Sequence, residues 1–168
     1  ICDKIFFKDS YILKNIVKFK KKKFIEFKNE PTYEQLNNEI NDIKKMNLDC
    51  IIGIGGGSTI DFAKGIATLL NNPGNSKRYK GFPTKLNPSK PLIAIPSTAG
   101  TGAEIAYNAV FIDLESKLKL GINTKNNYPV LSILDPKILA NSPKSVILNS
   151  GLGALVRSID SLFNTVKD

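Results

Sequence analysis

The chain has 168 residues, enough for one good core or for one domain and part of another, and a formal net charge of +9. The surplus is almost all lysine, with only Arg78 and Arg157 as arginines, and it is spread along the chain without interleaved aromatics, so no nucleic-acid partner is expected. No apolar run approaches the roughly 18 residues of a membrane span and no signal-peptide arrangement opens the sequence, which points to a soluble, cytoplasmic protein with no membrane partner.

Ile1–Cys2 followed by Asp3–Lys4 reads as the tail of a strand that begins elsewhere, so a fragment is expected. Cys2 and Cys50, each beside an expected strand, read as buried thiols of a reducing compartment. Lys8–Val17 suits a short helix and Lys23–Phe27 a strand. The lysine-dense run from Lys18 to Phe24 fits a solvated helix end better than a polyanion site. Pro31–Thr32 then opens a helix in which Tyr33, Leu36, Ile40 and Ile43 recur at helical spacing.

The stretch Cys50–Lys64 is the most informative. Ile51, Ile52 and Ile54 make a short β-branched strand that meets Gly55-Gly56-Gly57, and a helix is expected from Ser58 to about Leu70, ended by Asn71-Asn72-Pro73-Gly74. Glycines at a strand-to-helix turn let a ligand approach the backbone, and the helix behind them aims free N–H groups at that point, which suits a phosphate. Ser58 and Asp61 also have capping-box spacing, so finishing the helix is the plainer alternative. Two better-known signatures fail: G-x-G-x-x-G would need glycine at Ser58, and no Gly-Lys-Ser/Thr is present.

A polar connection, Asn75–Lys90, leads to the strand Pro91–Ile95 and a second small-residue loop, PSTAGTGAE, at 96–104. Alone such a loop is often only a turn. Paired with the first, it offers the hydroxyls of Ser97, Thr98 and Thr101 to one crevice at the carboxyl edge of a sheet, where open α/β folds bind ligands. Ala106–Ile112 and Lys117–Ile122 read as a hairpin around Asp113–Ser116, and Val130–Leu134 as a further buried strand. Beyond Pro143 the composition changes: Leu148, Leu152, Leu155, Ile159, Leu162 and Val166 lie three or four apart, one amphipathic helix in need of partners. Strands alternating with helices predict an α/β fold with a parallel sheet and helices on both faces, over residues 1–143. Residues 144–168 are expected to begin a separate helical domain.

Gly55-Gly56-Gly57-Ser58-x-x-Asp61-x-Ala63-Lys64, Pro96-Ser97-Thr98-Ala99-Gly100-Thr101-Gly102-Ala103-Glu104 and Ile133-Leu134-Asp135-Pro136, in that order, resemble the iron-containing (group III) alcohol dehydrogenases, in the superfamily of glycerol dehydrogenases and dehydroquinate synthases. The resemblance implies an α/β dinucleotide-binding domain before an all-helical one, with NAD(P) between them and a divalent metal held by the helical part. Carried over residue by residue, it places Gly55, Gly56, Gly57 and Ser58 on the pyrophosphate, Asp61 near the ribose or nicotinamide, and Ser97, Thr98 and Thr101 on the cofactor. Lys119 matches the lysine that reaches the cofactor ribose. Asp3 matches the acidic residue after the first strand, whose carboxylate favours NAD while leaving NADP open.

The metal-ligand pattern Gly-x-Asp-Ala-Leu-x-His-Ala-x-Glu is broken in Gly151-Leu152-Gly153-Ala154-Leu155-Val156-Arg157-Ser158-Ile159-Asp160. Gly153 and Arg157 stand where an aspartate and a histidine are expected, and neither offers a lone pair to a metal. Histidine is absent from the chain, and the family's two other histidine ligands fall beyond Asp168, so a divalent metal is not expected. Maleylacetate reductases, metal-independent members of the same family that also lack the aspartate, resemble this case. The activity implied is oxidation of an alcohol or reduction of a small aldehyde or ketone, with Arg157 supplying positive charge in place of a metal. Three alternatives stay open: a nucleotide-binding module without chemistry, a dehydroquinate synthase-like lyase, and, for Arg157, a plain surface role reaching solvent or pairing with Asp160. A homo-oligomer is also left open.

Overall fold

The computed structural model describes residues 1–6, 25–27 and 30–164. The expected helix Lys8–Val17 and the start of the expected strand Lys23–Phe27 lie outside them. Among the described residues, β1 (Cys2–Asp3), β2 (Glu26–Phe27), β3 (Ile51–Gly55), β4 (Leu92–Pro96) and β7 (Leu131–Ser132) form one sheet in the order β2-β1-β3-β4-β7, with every pairing parallel. β5 (Val110–Asp113) and β6 (Leu118–Gly121) form a separate antiparallel hairpin. The α/β class with a parallel sheet is therefore as the sequence predicts.

One face of the sheet is covered by two helices. α1 (Tyr33–Ile43) is started by Thr32, whose hydroxyl accepts from Gln35 N–H while the Gln35 side chain accepts from Thr32 N–H. Its stripe of Tyr33, Leu36, Ile40 and Ile43 is fully buried, at about 1.5–3 kcal/mol of hydrophobic stabilisation per side chain. α2 (Gly57–Asn71) is the central helix, buried nearly all round. It packs closely on β3 because Gly53 faces it: a Cβ there would lie 2.9 Å from Ala63 Cβ. The opposite face carries a smaller cluster of Cys2, Phe6, Ile54 and Ile138, the last from the short α3 (Pro136–Ala140), whose first turn is capped by the Asp135 carboxylate.

Two expectations are corrected. The first hairpin strand begins at Val110 instead of Ala106, and the turn covers residues 114–117. The backbone before it is held by side chains of α2: Lys64 Nζ donates to the Asn108 carbonyl and Asp61 accepts from Val110 N–H, so those groups need no strand partner. Val130–Leu134 is not a buried strand. Only Leu131–Ser132 pairs, along one side with β4, and Leu134 is 72% exposed.

α4 (Lys144–Leu162) follows Pro143, and it has no fully buried residue. Among the described residues no helix is long and apolar enough to cross a membrane.

Candidate functional site

Parallel pairing brings three strand ends to one edge. The registers Cys2↔Ile54 and Gly55↔Pro96 set Asp3, Gly55 and Ser97 side by side at the carboxyl end of the sheet. Gly55 has φ +152°, and a Cβ on it would lie 2.8 Å from Thr59 Oγ1 and 2.9 Å from Asp3 Cβ, so the turn needs glycine there. Gly56 is the N-cap of α2, and the first helical bond runs from Ile60 N–H to the Gly56 carbonyl. The amides of Gly57, Ser58 and Thr59 therefore have no acceptor inside the helix.

The second loop lies directly against the first. Ser97 N–H donates to the Gly55 carbonyl at 2.9 Å, and the Thr98 and Thr101 hydroxyls are 3.2 Å apart. A Cβ on Gly56 would touch Thr98 Cγ2 at 3.4 Å and one on Gly57 would touch Thr101 at 3.5 Å. Seven of the residues singled out in the sequence, Gly55, Gly56, Gly57, Ser58, Ser97, Thr98 and Thr101, thus lie on two adjoining loops at the carboxyl edge of the sheet. The arrangement suits an anion: free amides and the positive end of a fifteen-residue helix on one side, hydroxyls on the other.

Ser58 and Asp61 do not form a capping box. The Ser58 hydroxyl donates instead to Glu30 Oε1 at 3.2 Å, and Asp61 Oδ2 accepts from Val110 N–H at 3.1 Å. Asp61 also lies 3.5 Å from Lys64 Nζ, whose side chain is fully buried and donates to the Asn108 carbonyl at 2.7 Å. Burial pushes the Asp61 carboxyl up, offset in part by Lys64, and the same burial pushes the Lys64 ammonium down. This pair ties the helix behind the glycines to the segment that carries the second loop into the hairpin. Asp61 therefore stands behind the glycine turn.

Lys119 of β6 is half-exposed, and its ammonium donates to Glu30 Oε2 at 2.7 Å. Glu30 was not singled out in the sequence, although both Ser58 and Lys119 converge on it. Its partners lie 28 and 89 residues away, so no local spacing announces it. Lys64 carried a weak signal, a lone cation three residues from Asp61 on an otherwise apolar helix.

α4 closes the far side of the second loop. Gly100 has φ +120°, and a Cβ on it would lie 2.4 Å from the Ser150 carbonyl oxygen and 2.7 Å from Ala154 Cβ. Arg157 Nη1 donates to the Gly100 carbonyl at 3.0 Å. One of its five donors is thereby committed to the loop and not to Asp160, the partner suggested by the plain surface reading. At Gly153 an added Cβ would meet nothing within 4 Å. Neither position offers a metal ligand, and no group of three His, Cys, Asp or Glu able to hold a metal gathers among the described residues. A glycine and a guanidinium at these two positions do not fit a metal.

The model of the family described as iron-containing alcohol dehydrogenase matches residues 2–136. Alcohol dehydrogenase 4 of Schizosaccharomyces pombe is 36% identical over 135 residues, covering 80% of this chain and 32% of the relative. The NAD-dependent methanol dehydrogenase of Bacillus methanolicus is 32% identical over 132 residues, 79% of this chain and 35% of the relative. Among solved structures, an alcohol dehydrogenase from Oenococcus oeni superposes with a TM-score of 0.83 at 28% identity, over 95% of this chain and 43% of that one. The chain thus spans about a third of the length of these two curated relatives.

Proposed function

The chain belongs to the iron-containing alcohol dehydrogenase family, and on that premise we propose that it is the dinucleotide-binding part of a cytoplasmic NAD(P)-dependent oxidoreductase interconverting an alcohol with a small aldehyde or ketone. Residues 1–143 form the coenzyme-binding unit in this reading, and α4 begins the second domain. The observation that carries it is the meeting of the two loops: the first turn of α2 at Gly57 and Ser58 lies against Thr98 and Thr101 at the sheet's carboxyl edge.

The diphosphate of the coenzyme is assigned to the amides of Gly57 and Ser58, with Thr98 and Thr101 opposite. Ser97 is assigned the part of holding the two loops together through its N–H on the Gly55 carbonyl. Asp3 and Lys119 flank the turn, where a carboxylate accepts from sugar hydroxyls and an ammonium donates to them. The carboxylate beside Gly55 favours NAD over a coenzyme with an extra phosphate; the name of the Bacillus methanolicus relative supports NAD. When bound, the nicotinamide supplies or accepts the hydride. The remaining donors of Arg157 are assigned to the carbonyl oxygen or to an acidic group of the substrate, in place of a metal.

A second reading has one observation in its favour. By the sequence resemblance, Gly153 and Arg157 stand where the family has metal ligands, as expected for a nucleotide-binding module that has lost its chemistry. The intact protein separates the two: mix it with NADH and a panel of small aldehydes and keto-acids, with and without iron or zinc, and follow the nicotinamide absorbance. Turnover without added metal supports the metal-free reductase. Binding of NADH with no turnover on any carbonyl supports the module, and turnover only with added metal overturns the role given to Arg157.

A further inference from the structure

We propose that Glu30 is a positioning residue of this site, holding the Ser58 hydroxyl and the Lys119 ammonium in place at the mouth of the glycine turn; the proposal rests on the dinucleotide reading above. Its two carboxylate oxygens are used separately, Oε1 by Ser58 at 3.2 Å and Oε2 by Lys119 at 2.7 Å. Three elements far apart in sequence are thereby joined at one carboxylate: the segment entering α1, the first turn of α2, and β6 of the hairpin.

The backbone of Glu30 is itself well anchored. The next residue, Pro31, accepts from Ile112 N–H at 2.8 Å, and Thr32 is fixed as the cap of α1. Ile112 pairs directly with Lys119 across the hairpin, so one rigid unit presents both ends of the ion pair. Lys119 has a long flexible stem and its side chain is 56% exposed, so with no partner it would sample many rotamers. An exposed pair of this kind adds little to folding stability, so its removal should leave the fold intact while freeing Lys119. The Lys119 hydrogen bond also holds the Glu30 carboxyl below the ordinary carboxylate range, so the clasp is formed at neutral pH.

The opposite expectation is equally concrete. A carboxylate near a diphosphate site repels it, and if that effect dominated, removing Glu30 would tighten binding. A double-mutant cycle on the intact protein, read by NADH fluorescence titration, decides between them. Glu30→Ala is expected to weaken NADH roughly fivefold and Lys119→Met roughly tenfold, with the double variant losing clearly less than the product of the two, because only the hold on Ser58 is left to lose once Lys119 is gone. Glu30→Gln, whose single amide oxygen can still accept from Lys119 while its NH2 group can only donate, should fall between wild type and Glu30→Ala, with all melting temperatures within about 2 °C of one another. Unchanged or tighter binding in Glu30→Ala, or losses that multiply in the double variant, overturns the proposal. Wild-type protein that binds no NADH overturns the dinucleotide reading itself, and this proposal with it.

Discussion

At Gly65, in the interior of α2, the two effects of an added methyl group oppose each other. Helix propensity favours alanine over glycine by about 1 kcal/mol. A Cβ there would lie 2.5 Å from the Phe111 ring and 2.9 Å from Leu36, both fully buried, and such overpacking costs about 1–3 kcal/mol. The clash wins, so Gly65→Ala should lower the urea midpoint. Gly55→Ala should do so too, by about 1–3 kcal/mol, since φ +152° and the contacts with Thr59 and Asp3 both resist a side chain. Gly57→Ala is the control: its Cβ would meet Thr101 at an ordinary 3.5 Å, so stability should hold even if a ligand site is narrowed. Asp113 gives a pH prediction. Hydrogen bonds from Lys77, at 2.6 Å, and from Lys80 hold its carboxyl well below its ordinary value of 3.8. A group depressed in the folded state stabilises above its unfolded value and loses that contribution as pH falls through the folded one. The urea midpoint of wild type should therefore fall between about pH 4 and pH 2. Asp113→Asn should start lower at pH 7 and flatten that fall; an unchanged slope would remove the Lys77–Asp113–Lys80 cluster from the account.

Among the elements, α4 and the second loop depend on each other. Gly100 passes beneath the helix at φ +120° with no room for a Cβ, and Arg157 clasps its carbonyl from above. Gly100→Ala should therefore lift α4 off the loop, raising amide hydrogen exchange across residues 144–162 by roughly tenfold or more while β3 and β4 stay protected. Equal exchange in both regions would mean that the contact does not hold the helix. The sequence showed which elements exist better than how they meet. Ile51–Ile54 and the stripe of α1 were legible because β-branched runs and helical spacing are local signals. In the strand expected at Ala106–Ala109, the Asn108 carbonyl is taken instead by Lys64, and a formal charge gives no hint that Lys64 is buried. Val130–Leu134 misled for the opposite reason: an apolar run reads as buried regardless of whether anything covers it.

On the scale of the whole molecule, the site depends on groups brought together from the two ends of the described chain. Glu30 reaches Ser58 and Lys119, and Arg157 reaches Gly100; only the tertiary fold makes these meetings, so the glycine loops could be read in advance and the clasp around them could not. α4 bears the sharpest consequence. Its residues 153 and 157 lie one turn apart on one face, to which the sequence resemblance assigns a carboxylate and an imidazole, and Arg157 from that face bonds the second loop. Restoring both ligands tests that assignment. In the intact protein, Gly153→Asp with Arg157→His should raise the zinc retained after desalting from near zero to about one ion per chain, as a tetrahedral site regains two of its ligands. The same double variant loses the hydrogen bond to the Gly100 carbonyl, so without zinc α4 should exchange faster than in wild type, and zinc should restore its protection. Wild type, by contrast, should keep its NADH affinity through chelation by EDTA. Zinc already present in wild type, or none gained by the double variant, would overturn the assignment of positions 153 and 157 to altered metal-ligand positions.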